Sequence, residues 1–206
     1  MRIRSSFALL VAIAAAPSLA SSQKFTGASK LAALPAPEKL DIEGRFQSTF
    51  AKVGDDLYIA GQPTERGLRE LHDLGVTTVV NLRTPEEMTR DVKFDEPALI
   101  AQLGMKYVYL PVRGNAEFPY SPKTVAAFSQ ALKDSKGKVL LHCTIAWRAS
   151  HLWAAYLISE RGIAVDTALA NARAINLMDD MRHGTGDGPQ PVEDFLGRGL
   201  PTLRHP

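Results

Sequence analysis

KVLLHCTIAWRASHLWAA, residues 138–155, decides the fold. Lys136 and Gly137 precede the aliphatic run Val139, Leu140 and Leu141, whose lack of polar alternation suits a strand buried on both faces of a parallel sheet. His142 and Cys143 end that strand. From Arg148 onward, Ala149, Leu152, Trp153, Tyr156 and Leu157 recur at helical spacing, so a helix is expected to begin within a residue or two of Arg148. The turn between them is Thr144, Ile145, Ala146 and Trp147. A strand, a tight turn and a helix N-terminus make an anion site, because the first amides of a helix have no intrahelical acceptors. Arg148 adds a planar fork that matches two phosphate oxygens. The same positive field favours thiolate over thiol at a cysteine in the turn. The competing reading of Cys143 is a buried strand-end residue without chemistry, cysteine being among the most often buried side chains.

Working outward, residues 46–53 and 57–60 are expected strands, broken by the turn Gly54-Asp55-Asp56. Thr64 caps a helix over 65–74 that places Leu68, Leu71 and Leu74 on one face and ends at Gly75. Residues 76–82 are the next strand, and RTPEE (83–87) reads as a polar stretch at its carboxyl end, where open α/β sheets place ligands. Arg83 is thus a candidate to reach an anionic substrate, with an ion pair to Glu86 or Glu87 the preferred alternative. A helix over 95–103, a strand over 107–112 and a helix opened by Ser121 and Pro122 follow. Beyond the central helix, Asp166 starts another at 167–178, and Phe195 and Leu196 dock a last short helix. This alternation predicts an α/β fold: a mainly parallel central sheet of four or five strands with helices on both faces.

His142-Cys143-Thr-Ile-Ala-Trp-Arg148 resembles the phosphate-binding loop of the cysteine-dependent tyrosine phosphatase superfamily, with four residues between cysteine and arginine where that superfamily usually has five. The shorter spacing, together with VGDDLYIAGQPTERGLRELHDLGVTTVVNLRTPEE (53–87) and LGMKYVYLPV (103–112), is similar to the bacterial beta-lactamase-hydrolase-like phosphatases. The resemblance covers about residues 46–177 and implies a tyrosine-phosphatase-like hydrolase of phosphate monoesters, working through a thiol-phosphate intermediate without a cofactor. It implies Cys143 as nucleophile and Arg148 as oxyanion ligand. His142, Thr144, Ile145, Ala146 and Trp147 would line the phosphate site, His142 by orienting the loop. An acid is then needed to protonate the leaving oxygen. The loop RGNAEFPY (113–120) holds only one carboxyl group, so Glu117 is the candidate, with Asp91 and Asp95 as substitutes. Ala146 stands where such loops usually carry glycine, a left-handed alanine costing roughly 1–2 kcal/mol. Ala149 stands where serine or threonine usually supports the departing thiolate. A rhodanese-like sulfurtransferase and a non-catalytic oxyanion-binding protein are the alternatives.

Residues 1–20 read as a secretory signal: Arg2 and Arg4, an apolar core at 7–16, and Ser18-Leu19-Ala20 as a small-x-small cleavage site. The apolar run is too short to span a membrane. Residues 21–40 read as a flexible linker and 41–206 as a single domain. Cleavage after Ala20 would leave 22 basic against 22 acidic residues, a balance that gives no case for nucleic acid. One cysteine excludes an intramolecular disulfide, and the five histidines show no ligand spacing, so no metal is expected. Asp179 and Asp180 are taken as solvated acids. The expectation is a periplasmic or secreted monomer acting on a phosphorylated small molecule, glycan, lipid or protein.

Overall fold

The computed structural model describes residues 34–177 and 190–200. The expected signal segment, most of the linker, the end of the helix placed at 167–178 and Asp179-Asp180 lie outside the described residues. Among those described are six strands, β1 (Glu38–Lys39), β2 (Phe50–Val53), β3 (Leu57–Ala60), β4 (Val76–Asn81), β5 (Lys106–Tyr109) and β6 (Lys138–His142). They form one sheet in the order β1-β2-β3-β6-β4-β5. β3, β6, β4 and β5 are parallel to one another, whereas β1 and β2 extend the sheet as antiparallel strands. The sheet is therefore one strand larger than expected, because Glu38–Lys39 pairs with β2 inside the stretch taken for a linker. Two other expected strands are shorter: Phe46 forms an isolated bridge with Pro63 instead of opening β2, and β5 stops at Tyr109.

Among the described residues seven helices accompany the sheet: α1 (Glu65–Asp73), α2 (Pro85–Asp91), α3 (Glu96–Gln102), α4 (Pro122–Asp134), α5 (Trp147–Ser159), α6 (Val165–Ile175) and α7 (Gln190–Leu196). Thr64, Asp95 and Ser121 cap α1, α3 and α4 through side-chain bonds to the amides of Gly67, Ala98 and Thr124. The sheet has a core on each face. One joins Leu68 and Leu71 of α1 with Leu99 and Ile100 of α3 over Val79 and Leu140. The larger joins α4, α5, α6 and α7 over Ile59, Val80, Val139 and Leu141.

β6 lies between β3 and β4, and Val139, Leu140 and Leu141 are each 2% exposed or less, as an uninterrupted aliphatic run requires. α5 is buried from Arg148 to Ile158, a helix apolar on nearly every side because α6, α7 and α4 surround the face that the sheet does not cover. A strand and a helix both fixed in the core hold the turn between them in one place. Among the described residues no helix is long and apolar enough to cross a membrane, and no group of three or more His, Cys, Asp or Glu is placed to hold a metal ion.

Candidate active site

Cys143 follows β6 directly, and its amide donates to the carbonyl of Ala60 at 3.3 Å. The loop then runs beside the end of β3, where Ile145 bridges Gly61 and the amide of Gln62 donates to Thr144 O at 3.0 Å. Gly61 permits that approach: a Cβ there would lie 2.2 Å from Ser48 Oγ and 2.9 Å from Thr144 O. Ala146 is left-handed, with φ 67° and ψ −1°, the strained alanine that the sequence raised. It is the N-cap of α5 and offers no side-chain cap, while its carbonyl accepts from Ser150 N and Ser150 Oγ at 2.9 and 2.8 Å. Ser150 is thus spent on its own helix, and Ala149 is buried in the core, so neither supplies a hydroxyl to the thiol. The amides of Thr144 and Ile145 donate to no acceptor among the described residues.

A cavity of about 340 Å³ opens over this loop, lined by Glu87, Arg113, Tyr120, Cys143, Thr144, Ile145, Trp147 and Arg148. Its volume falls in the range of small-molecule sites. Cys143 is 1% exposed and is one of the residues that line the cavity. Trp147 walls the cavity with its ring against His151, centroids 4.2 Å apart.

Arg148 is held by a bidentate pair with Glu87: Nη1 donates to Oε2 at 2.9 Å and Nη2 to Oε1 at 2.8 Å. Nη1 also reaches the carbonyls of Val112 (2.8 Å) and Leu82 (3.3 Å), and Nη2 reaches Thr144 Oγ1 at 3.0 Å. Burial opposes the guanidinium charge, but the neighbouring Cys143 and Glu87 more than offset it and raise the Arg148 pKa above its ordinary value. Burial likewise opposes ionisation of Glu87. Hydrogen bonds from Arg148 and from the Thr84 amide, with the charges of Arg148 and Arg113, overcome it and bring the carboxyl down to about 2. Glu87 is therefore a fixed anion, and Arg113 Nη1 donates to its Oε1 at 2.9 Å from the cavity rim.

Behind the loop lies a second polar cluster. Glu96, fully buried, accepts from Gln62 Nε2 (2.6 Å) and Asn81 Nδ2 (3.0 Å), and its Oε1 lies 3.1 Å from His142 Nε2. Burial works against its charge, yet the His142 interaction and the two amide donors keep its pKa lowered. Asn81 Nδ2 also donates to Tyr107 Oη at 2.9 Å. His142 is thereby held by Glu96 at the end of β6.

Of the residues singled out from sequence, the structure brings Cys143, Thr144, Ile145, Trp147 and Arg148 to one cavity, with Ala146 and His142 supporting it from behind. It does not bring Arg83 or Glu117 there. Arg83 is fully buried and bonds Gln62 Oε1 (2.7 Å), Glu87 O (3.2 Å) and Asp91 Oδ2 (2.6 Å), so its ion-pair partner is Asp91, not the Glu86 or Glu87 carboxylate. Asp91 is thereby committed to Arg83 and Arg90, and Asp95 to capping α3. Glu117 is exposed on the loop after β5 and does not line the cavity. Sequence reasoning missed Glu87, Glu96, Tyr120 and Arg113. The first had a signal: Thr84-x-x-Glu87 is a capping box, and it opens the helix α2 in a stretch read as loop.

The comparisons with known proteins agree with this geometry. A family model described as "DSP-PTPase phosphatase fused to NAD+ Kinase" matches residues 45–184. A beta-lactamase hydrolase-like protein of Xylella fastidiosa is 29% identical over 103 residues, half of this chain and 23% of its own, so the chain spans about a quarter of that relative's length. A candidate phosphatase of Shewanella putrefaciens CN-32 superposes with a TM-score of 0.50 at 30% identity, over 63% of this chain and 82% of that one. P. aeruginosa TpbA shares the fold at a TM-score of 0.54 and 20% identity, over 79% of this chain and 89% of that one. The chain belongs to the cysteine-dependent, tyrosine-phosphatase-like family that this model describes.

Proposed function

We propose that this protein is a phosphate monoester hydrolase in which Cys143 is the nucleophile and Arg148 the oxyanion ligand. The observation that carries the reading is the shared cavity: the cysteine and the arginine both line it, and the guanidinium is already oriented by Glu87. The thiolate attacks phosphorus, and the Thr144 and Ile145 amides with Arg148 bind the equatorial oxygens, where charge builds in the transition state. The Nε–H is the one guanidinium nitrogen of Arg148 without an acceptor among the described residues; Nη2 can join it if Thr144 Oγ1 yields. A thiol-phosphate ester forms and water then releases phosphate. Glu87 holds Arg148 in plane and takes no proton near neutral pH.

Export is part of the proposal and rests on the N-terminal sequence alone. In an oxidising compartment the thiolate is open to sulfenic acid or mixed-disulfide formation, so assays need reductant. TpbA is known in complex with phosphotyrosine, which recommends an aryl phosphate as first probe. The test compares hydrolysis of para-nitrophenyl phosphate by reduced wild-type protein and by Cys143→Ser. Turnover in the first alone supports the reading; turnover in the serine variant, or sulfur transfer from thiosulfate to cyanide without phosphatase activity, contradicts it.

A further inference from the structure

Resting on the phosphatase reading, we propose that the phenol of Tyr120, and not a carboxylic acid, protonates the leaving oxygen. An acid must reach the scissile bond from within the cavity. Glu87 is the one carboxylic acid among the lining residues, and it is locked as an anion between Arg148 and Arg113. Tyr120 is the other proton-bearing oxygen acid of the lining, at the end of the loop that follows β5, where the sequence led us to look for an acid.

Its placement suits the role. Tyr120 is 9% exposed, and its ring packs on Phe195 of α7 with centroids 4.8 Å apart. Gly114, at φ +79°, lies so close beneath it that a Cβ would meet Tyr120 Cε2 at 2.6 Å. The ring is thus held by a helix on one side and its own loop on the other. Among the described residues its hydroxyl has no hydrogen-bond partner, so no acceptor among them competes for the proton. The charged groups that act on the phenol are Arg148 and Arg113, which favour its anion, and the Cys143 thiolate and Asp194, which oppose it. Burial is the largest influence and pushes the phenol up to about 12, so it stays protonated until a more basic oxygen leaves beside it.

The step balances. The Sγ–P bond forms as the P–O bond to the leaving group breaks, and the phenol O–H transfers its proton to that oxygen, leaving a phenolate. In the second displacement water attacks the thiol-phosphate phosphorus, its proton returns to the phenolate, and the S–P bond breaks to regenerate the thiolate.

The test uses leaving-group dependence, since general-acid help matters most when the departing anion is basic. The kcat/KM values for para-nitrophenyl phosphate and benzyl phosphate are compared in wild type, Tyr120→Phe and Glu117→Gln. The Tyr120→Phe protein, which keeps the packed ring, should lose ~100-fold on benzyl phosphate, whose departing alkoxide is more basic than a phenolate, and less than ~10-fold on para-nitrophenyl phosphate. Equal losses on both substrates, no loss on either, or the selective loss appearing in Glu117→Gln instead, would overturn the assignment. A wild-type protein that hydrolyses neither ester overturns the phosphatase reading itself and this step with it.

Discussion

Two strand-to-helix junctions stand side by side in this sheet, and they handle the same problem in opposite ways. After β4 the chain enters α2 through Thr84, whose hydroxyl accepts from the Glu87 amide while the Glu87 carboxylate accepts from the Thr84 amide. The Thr84 and Glu87 amides at this helix start are thus taken up by its own side chains. After β6 the chain enters α5 through a left-handed alanine with no side-chain cap. Those amides stay open and a cavity forms over them. The lesson is that capping decides which strand-to-helix junction of this sheet keeps its amides open. The two junctions are also joined, because the carboxylate that closes the first is the one that holds the arginine of the second.

Removing the proposed nucleophile is the largest expected effect: Cys143→Ser should abolish turnover while phosphate still competes for the loop, as judged by equilibrium binding. Arg148→Lys keeps the charge and loses the fork, and should cost about 100- to 1,000-fold in kcat against para-nitrophenyl phosphate. Glu87→Gln strikes both junctions at once. Breaking a buried, hydrogen-bonded pair costs on the order of 3 kcal/mol, which urea unfolding would read, and activity should fall with it. The pH dependence carries the same sign. Because the folded Glu87 pKa is lowered from 4.5 to about 2, its contribution is complete above the unfolded value and is lost as pH falls from about 5 toward 2. In the Gln variant acid unfolding should be correspondingly shallower over that window. The smallest effect has the opposite direction: Ala146→Gly relieves a left-handed alanine and should raise stability by about 1 kcal/mol in thermal unfolding. No gain there would mean that the loop's geometry carries no strain.

The same comparison explains what could be read from sequence. The β6–α5 junction was legible because its signals are local: an aliphatic run, His-Cys, and helical periodicity beginning at Arg148. The β4–α2 junction carried an equally local signal in Thr84-x-x-Glu87, but proline and two glutamates after a strand look like a loop. Without α2, Arg83 is naturally paired with Glu86 or Glu87; once the helix forms, Asp91 at its far end comes within 2.6 Å. Glu96 could not have been found this way. Its contact with His142 spans 46 residues and depends on the start of α3 reaching Gln62, Asn81 and His142 together, a placement set by packing and not by any nearby pattern. Tyr120 was hidden similarly, since a search for carboxyl groups passes over a phenol at the loop's end.

The most direct test of the account is to mix reduced protein with para-nitrophenyl phosphate, quench it in acid within the first turnovers and weigh the peptide that carries Cys143. The account predicts the mass of one phosphate added at Cys143 in the wild type and none in Cys143→Ser. Hydrolysis with no such adduct, or with phosphate on another residue, would contradict it.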